Sequence, residues 1–193
     1  MDDAKADIWD GTRTGQIISR FLKYQNIKYT ILEHDAAQID VARRFGSKVF
    51  YGDASRKDIV ASAGAAEAKI FVLAIDDVTS SIETAKMLRK NFPHLRIVAR
   101  VRNRQHAIDL MELGITQVFR ETYFTSLEVS KRVLLDLGMN ESTVDKKIAT
   151  FRKHDETILQ QQSEFRNDEK GMVSYTKRAV EELEKILAAD DMP

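Results

Sequence analysis

Cysteine is absent from the 193 residues. Its absence removes disulfide frameworks, thiolate zinc sites and thiol nucleophiles together, and it fits a reducing compartment. An excess of one charge is absent as well. Thirty Lys and Arg balance thirty Asp and Glu, so no chain-wide cationic field exists to hold a phosphodiester backbone, and nucleic acid is not an expected partner. No apolar run approaches the roughly 20 residues that cross a bilayer, and the opening Met1 to Asp7 lacks the basic and apolar regions of a signal peptide. The chain therefore reads as soluble and cytoplasmic. Histidine is sparse: His34, His94, His106 and His154 form neither an i,i+4 pair nor an H-E-x-x-H arrangement, which argues against a histidine-built metal site. A G-x-S-x-G nucleophile elbow is missing, and no second α/β domain follows to present a hydride acceptor. A catalyst is not expected.

What is present is organised. The length suits one ordinary domain plus an extension, and 43% hydrophobic residues suffice for one core. Short β-branched or aromatic runs recur at residues 28–33, 48–51, 70–75, 96–101 and 117–119. Between them lie helix-period segments: Ile17, Ile18, Phe21 and Leu22; then Ile39, Ala42 and Phe45; then Ile82, Ala85, Met87, Leu88 and Phe92. Gly46, Gly52, Gly64 and Gly114 punctuate the joints, and Pro93 stands just past a helix. This alternation predicts a doubly wound α/β fold with a parallel sheet over residues 1–121. From 122 to 193 the pattern turns helical, with helices expected at 126–137, 141 to about 167, and 173–189, broken at Gly138 and Gly171. In the middle helix Val144, Ile148, Phe151, Ile158 and Leu159 make a thin apolar stripe amid many charges. It is either a solvated tail packed on its own domain or an arm that docks or dimerises.

A parallel sheet binds its ligand at the carboxyl ends of its strands. The first turn, Asp10 to Gln16, occupies the place of a G-x-G-x-x-G phosphate loop but keeps only its last glycine, Gly15, in register. Asp10 and Thr12 replace the other two and obstruct a close pyrophosphate, while Thr12, Arg13, Thr14 and the helix N-terminus remain able to hold a phosphate. The preceding strand is weak, since Ala6 to Trp9 offers two large apolar residues where a buried strand usually offers about four or five. Glu33, His34 and Asp35 end the second strand about twenty residues beyond the glycine turn, where an acid accepts ribose hydroxyls. Glu33 is the first choice, and Asp35 could equally cap the next helix. Asp53 and Ala54 follow the third strand, placing Asp53 either on the adenine amino group or on a helix start. Ile75, Asp76 and Asp77 follow the fourth, with the same ambiguity for the two acids. Together these strand ends point to adenine-nucleotide binding without catalysis.

Four blocks carry a resemblance: Phe45 to Ser55, Ala74 to Asp77, Asn91 to Arg100 and Phe119 to Thr122. Over roughly 10–156 the chain resembles the cytoplasmic RCK (KTN) domain of the Kef family of glutathione-gated bacterial potassium efflux systems. The resemblance implies a Rossmann-like homodimer whose helices after Glu121 cross between subunits. It implies AMP or NAD(H) in each crevice, with Arg100 among the residues around it. It also implies a membrane-embedded cation/proton antiporter domain in the same full-length protein, at the cytoplasmic face of the bacterial inner membrane, and leaves room for an ancillary oxidoreductase subunit. A glutathione site at the dimer junction is implied at Arg20, Arg120 and Asp155, where paired guanidiniums suit an anionic tripeptide. Surface ion pairs with Glu121 or Asp35 are the bland alternative for the two arginines. Asp155 departs from the family's asparagine: a carboxylate lacks amide donors and repels a peptide carboxylate, which weighs against glutathione. The missing glycines favour AMP over a dinucleotide. The competing readings are a small NAD(P)-dependent reductase, which requires an acid pair near the nicotinamide that is not evident, and a ligand-free structural dimerisation module.

Overall fold

The computed structural model describes residues 5–9, 13–34, 39, 49–162, 175, 178, 179, 181 and 183. β1 (Lys5–Trp9), β2 (Lys28–Glu33), β3 (Val49–Tyr51), β4 (Ile70–Leu73), β5 (Arg96–Val101) and β6 (Gln117–Arg120) form one sheet in the order β3-β2-β1-β4-β5-β6. Every pairing is parallel. Between the strands run α1 (Arg13–Tyr24), α2 (Lys57–Ser62), α3 (Val78–Asn91) and α4 (Arg104–Glu112). This is the doubly wound α/β plan the alternation predicts. The chain leaves β1 first toward β2 and β3, then returns to β4 on the other side, so the connections part company at the tip of β1 and leave a crevice there.

The polar first strand is central despite its weak sequence signal. It pairs with β2 from Lys5↔Lys28 to Trp9↔Leu32, and with β4 from Ala6↔Ile70 to Trp9↔Leu73. Backbone bonding on both edges holds it there, a long-range effect that strand propensity does not register. The flanking strands supply the apolar mass: Ile31, Leu32, Phe71, Leu73, Ile97 and Val101 are buried. Leu88 of α3 and Leu110 of α4 are buried as well, each contributing about 2 kcal/mol of transfer free energy.

The apolar and aromatic residues of α1 split between two faces. Ile18 and Leu22 pack with Tyr29, Ile70, Val72 and Ala74, whereas Ile17, Phe21 and Tyr24 are exposed on the side that carries Arg20. The helix expected around Ile39, Ala42 and Phe45 lies outside the described residues apart from Ile39, which is helical.

The chain divides into two compact units, Met1–Arg120 and Glu121–Pro193. In the second, α5 (Tyr123–Asp136) and α6 (Glu141–Gln162) form a hairpin turned by Gly138 at φ 89°. That backbone conformation is natural to glycine. Lys131 of α5 meets Asp145 of α6 and lies 3.6 Å from Glu141. α5 begins at Tyr123, earlier than the periodicity predicts, and its first residues make aromatic contacts. Tyr123 and Phe124 meet edge to face at 5.5 Å, and the Arg152 guanidinium of α6 sits 5.0 Å from the Phe124 ring centre. Within the thin stripe of α6, Val144, Ile158 and Leu159 are buried while Ile148 and Phe151 are half-buried. No residue of α5 is buried, and Val129, Val133 and Leu137 form an exposed apolar row along it. The expected helix at 173–189 lies largely outside the described residues.

Candidate functional site

The parallel register brings the strand ends level. Trp9 stands beside both Leu32 and Leu73, and Leu73 stands beside Ala99. One step further along come Glu33 on one side of β1, and Ala74 and Arg100 on the other.

Glu33 is 4% exposed. Its Oε1 accepts the His34 backbone N–H at 2.7 Å and lies 3.3 Å from the exposed His34 ring, so the carboxylate is held at the tip of β2. The Gly52 N–H donates to the Glu33 carbonyl at 3.0 Å, which stitches the turn after β3 to the same tip. A Cβ on Gly52 would stand 2.6 Å from Ile59 Cγ2, so only glycine lets α2 come this close to the turn. Asp53 is exposed, and its Oδ1 accepts the Ser55 N–H at 2.8 Å; Ala54 is buried. The N-cap of α2 is Arg56, so Asp53 shapes the turn and does not cap the helix.

On the other side, Arg100 is 5% exposed. Its Nη2 donates to the Ala74 carbonyl and, at 2.6 Å, to Asp76 Oδ1. Arg102 Nη1 lies 3.8 Å from the same Asp76 oxygen. A buried guanidinium is tolerated because a carboxylate and a carbonyl replace the water it has lost. Asp77 takes the helix-start alternative: its Oδ1 accepts the Ser80 N–H at 2.8 Å and the Ser80 hydroxyl at 2.7 Å, capping α3. Those two hydrogen bonds, the backbone one first, hold its carboxyl below the usual carboxylate range. Ile75 is half-buried between Ala74 and Asp76.

Glu33, His34, Asp53 and Ala54 therefore gather on the β2–β3 side of β1, and Ile75, Asp76, Asp77 and Arg100 on the β4–β5 side. Thr14 and Gly15 lie in the first turn of α1, Thr14 half-buried and Gly15 buried. Arg13 opens α1, while Thr12 and Asp35 lie outside the described residues. Arg20 is exposed on α1, Arg120 is half-buried at the end of β6, and Asp155 is buried in α6 of the second unit. Among the described residues no group of three or more His, Cys, Asp or Glu could hold a metal ion, and no helix is long and apolar enough to cross a membrane.

Two residues of the β4–β5 side escape sequence reasoning. Arg102 lies beyond the quoted blocks, and His106 draws attention only as a metal ligand. Asn103 three residues before His106 is a legible cap, and its Oδ1 accepts the His106 N–H at 2.9 Å. Nothing in that spacing tells that the imidazole turns inward.

Residues 10–121 match the TrkA-N domain family. The chain belongs to that family. Beyond the TrkA-N domain, residues 125–192 match the potassium efflux system KefB C-terminal domain, and the two in tandem identify a Kef-family RCK/KTN domain. Among curated proteins the TrkA-N chain is similar to the glutathione-regulated potassium-efflux system protein KefC of Escherichia coli O139:H28, 35% identical over 178 residues, with 92% of this chain and 29% of KefC covered. It thus spans 29% of the length of the curated relatives it matches. Among solved structures, the Shewanella denitrificans Kef CTD in AMP bound form is 34% identical with a TM-score of 0.77, covering 83% of this chain and 99% of that one. The TrkA-N domain of the Escherichia coli inner membrane protein ybaL, 22% identical with a TM-score of 0.61 and covering 72% of this chain and 100% of its own, shares the fold.

Proposed function

We propose that this TrkA-N domain is the nucleotide-sensing regulatory part of a glutathione-gated potassium efflux system, a sensor and not a catalyst. The carrying observation is the buried Glu33 carboxylate at the tip of β2, beside the point where the strand order reverses. An acid there accepts ribose hydroxyls. Asp53 next to it suits the adenine amino group, and Asp76 and Arg100 flank the nucleoside from the other side, with Asp77 fixing the start of α3 beside them. AMP or NAD(H) fits this donor set, supported by the AMP in the Shewanella denitrificans relative. The glycines lost at Asp10 and Thr12 favour AMP, with the phosphate held by Thr12, Arg13, Thr14 and the start of α1.

The first 121 residues bind nucleotide, and 122–193 serve as a dimerisation region. The exposed row Val129, Val133 and Leu137 supports a homodimer, because an apolar row left in water on a helix with no fully buried residue favours a partner. Glutathione or its conjugates engage Arg20, which stands on a face with exposed Ile17, Phe21 and Tyr24, together with Arg120 and Asp155. Nucleotide stiffens each lobe, and the conjugate selects a dimer arrangement that releases an attached K+/H+ antiporter at the cytoplasmic face of the bacterial inner membrane. A ligand shifts such an equilibrium only by its difference in affinity for the two arrangements. An ancillary oxidoreductase subunit is a further partner of this assembly.

Calorimetric titration with AMP, NADH, glutathione and a bulky glutathione conjugate tests the reading. Binding of AMP more tightly than NADH is expected, and no heat with any of the four removes the sensor. Steady NADH consumption with a carbonyl substrate would instead favour a reductase.

A further inference from the structure

His106 is 1% exposed and lies in the first turn of α4. Its Nδ1 accepts the Arg102 backbone N–H at 3.3 Å, and its Nε2 stands 3.1 Å from the hydroxyl of Ser81, itself wholly buried in α3. A ring nitrogen that accepts a backbone N–H carries no proton, so the neutral imidazole is protonated at Nε2 and donates to Ser81. These contacts complete a ring. Asp76 meets the side chains of Arg100 and Arg102, the Arg102 backbone meets His106, and His106 meets Ser81 in the helix that Asp77 caps immediately after Asp76.

We propose that His106 is a positioning residue for the nucleotide site: its neutral imidazole ties the end of β4 and the end of β5 into one wall, so that protonation of the ring loosens nucleotide binding. The inference rests on the nucleotide reading above. Protonated Nδ1 can no longer accept from Arg102, and the wall that holds Asp76 and Arg100 must open. Burial, helped by Arg100 and opposed by Asp109 one turn along α4, keeps the imidazole below its ordinary pKa. The charged groups around the ring are Asp109 on α4, Arg100 and Arg102 at the end of β5, and Asp76 beyond them; α3 presents the neutral Ser81.

The test is AMP affinity of the full chain between pH 8 and pH 5 for the wild type, His106→Asn and His106→Phe. Asparagine keeps an acceptor where Nδ1 stands, whereas phenylalanine keeps only the ring. At pH 8 His106→Phe should bind about tenfold more weakly and His106→Asn within about threefold of wild type. The phosphate of AMP itself titrates near about pH 6, so the decisive quantity is the wild-type to His106→Asn ratio, which should fall with pH. Should His106→Phe not fold, nitrogen NMR of the wild-type imidazole decides: saturating AMP should lower the ring's titration midpoint. An affinity ratio constant across the range, or a midpoint that AMP does not move, overturns the inference alone. A wild-type chain that binds neither AMP nor NADH overturns the nucleotide reading and this inference with it.

Discussion

Replacing Gly52 by alanine tests the packing that sets the β2–β3 side of the site. The added Cβ would stand 2.6 Å from Ile59 Cγ2 and 3.3 Å from both Cδ1 and Cγ1. Ordinary carbon contacts lie at about 3.5–4.0 Å, so the closest is short by roughly 1 Å. Overpacking of this kind costs about 1–3 kcal/mol. A second cost comes from the backbone: Gly52 has φ 157°, a region side chains seldom enter, worth about 1–3 kcal/mol more. Gly52→Ala should therefore lose about 2–6 kcal/mol. Ile59→Ala removes all three clashing atoms, so in that background Gly52→Ala should lose only the backbone share. Urea denaturation of the four proteins of this double-mutant cycle measures the difference, expected at about 1–3 kcal/mol of coupling. Because the Gly52 N–H is bonded to the Glu33 carbonyl, the single variant should also bind AMP more weakly, and Ile59→Ala should restore part of that loss. Coupling below about 0.5 kcal/mol would mean the two sites are independent and would refute the account of why glycine stands here.

Asp76→Asn should cost about 1–3 kcal/mol in urea denaturation, because the buried Arg100 guanidinium loses its carboxylate while the exposure of Asp76 spares the full penalty of a buried pair; no loss would detach Arg100 from Asp76. Since the folded pKa of His106 lies below its unfolded value, its contribution to stability is present above about pH 6.5 and is lost as pH falls through the folded pKa. The stability difference between wild type and His106→Asn should shrink over that window in pH-dependent unfolding, and a difference that grows would reverse the sign. Val133→Asp should raise the dissociation constant of the proposed dimer at least about 50-fold, read by sedimentation, because it places a charge in the apolar row of α5; an unchanged dimer would move the interface elsewhere. Asp155→Asn should strengthen glutathione binding by about tenfold, by removing a negative charge and supplying amide donors, and weaker binding would show that the carboxylate itself contributes.

The parallel sheet was readable because its strands are buried on both faces, so Ile70 to Leu73 and Arg96 to Val101 stand out as compact runs between amphipathic segments. Lys5 to Trp9 was the least readable strand, since its place at the centre comes from partners more than twenty residues away. Glu33 could be picked out by its distance from the glycine turn, a spacing that a strand–helix–strand unit imposes. The roles of Asp53 and Asp77 could not be separated by sequence: both are acids after a strand, and only the position of the next helix start makes one a cap and the other a turn former. Ile17 and Ile18 are adjacent and identical in type, yet they point in different directions because a 100° step per residue puts only one of them over the sheet. Arg102 and His106 were missed because their contacts join different strand–helix units, which no local pattern encodes.

α5 is fourteen residues long and buries none of them. A free helix of that length is marginal in water, and within its hairpin it is helped by the Lys131 pair, by Arg152 over the Phe124 ring and by the half-buried Leu127, Leu134 and Leu135. If the proposed homodimer covers its apolar row, its persistence as a helix should depend on concentration as well as on sequence. Amide protons along Val129 to Leu137 should then gauge the proposed assembly, exchanging quickly in dilute protein and slowly in concentrated protein, while those of the sheet stay protected throughout.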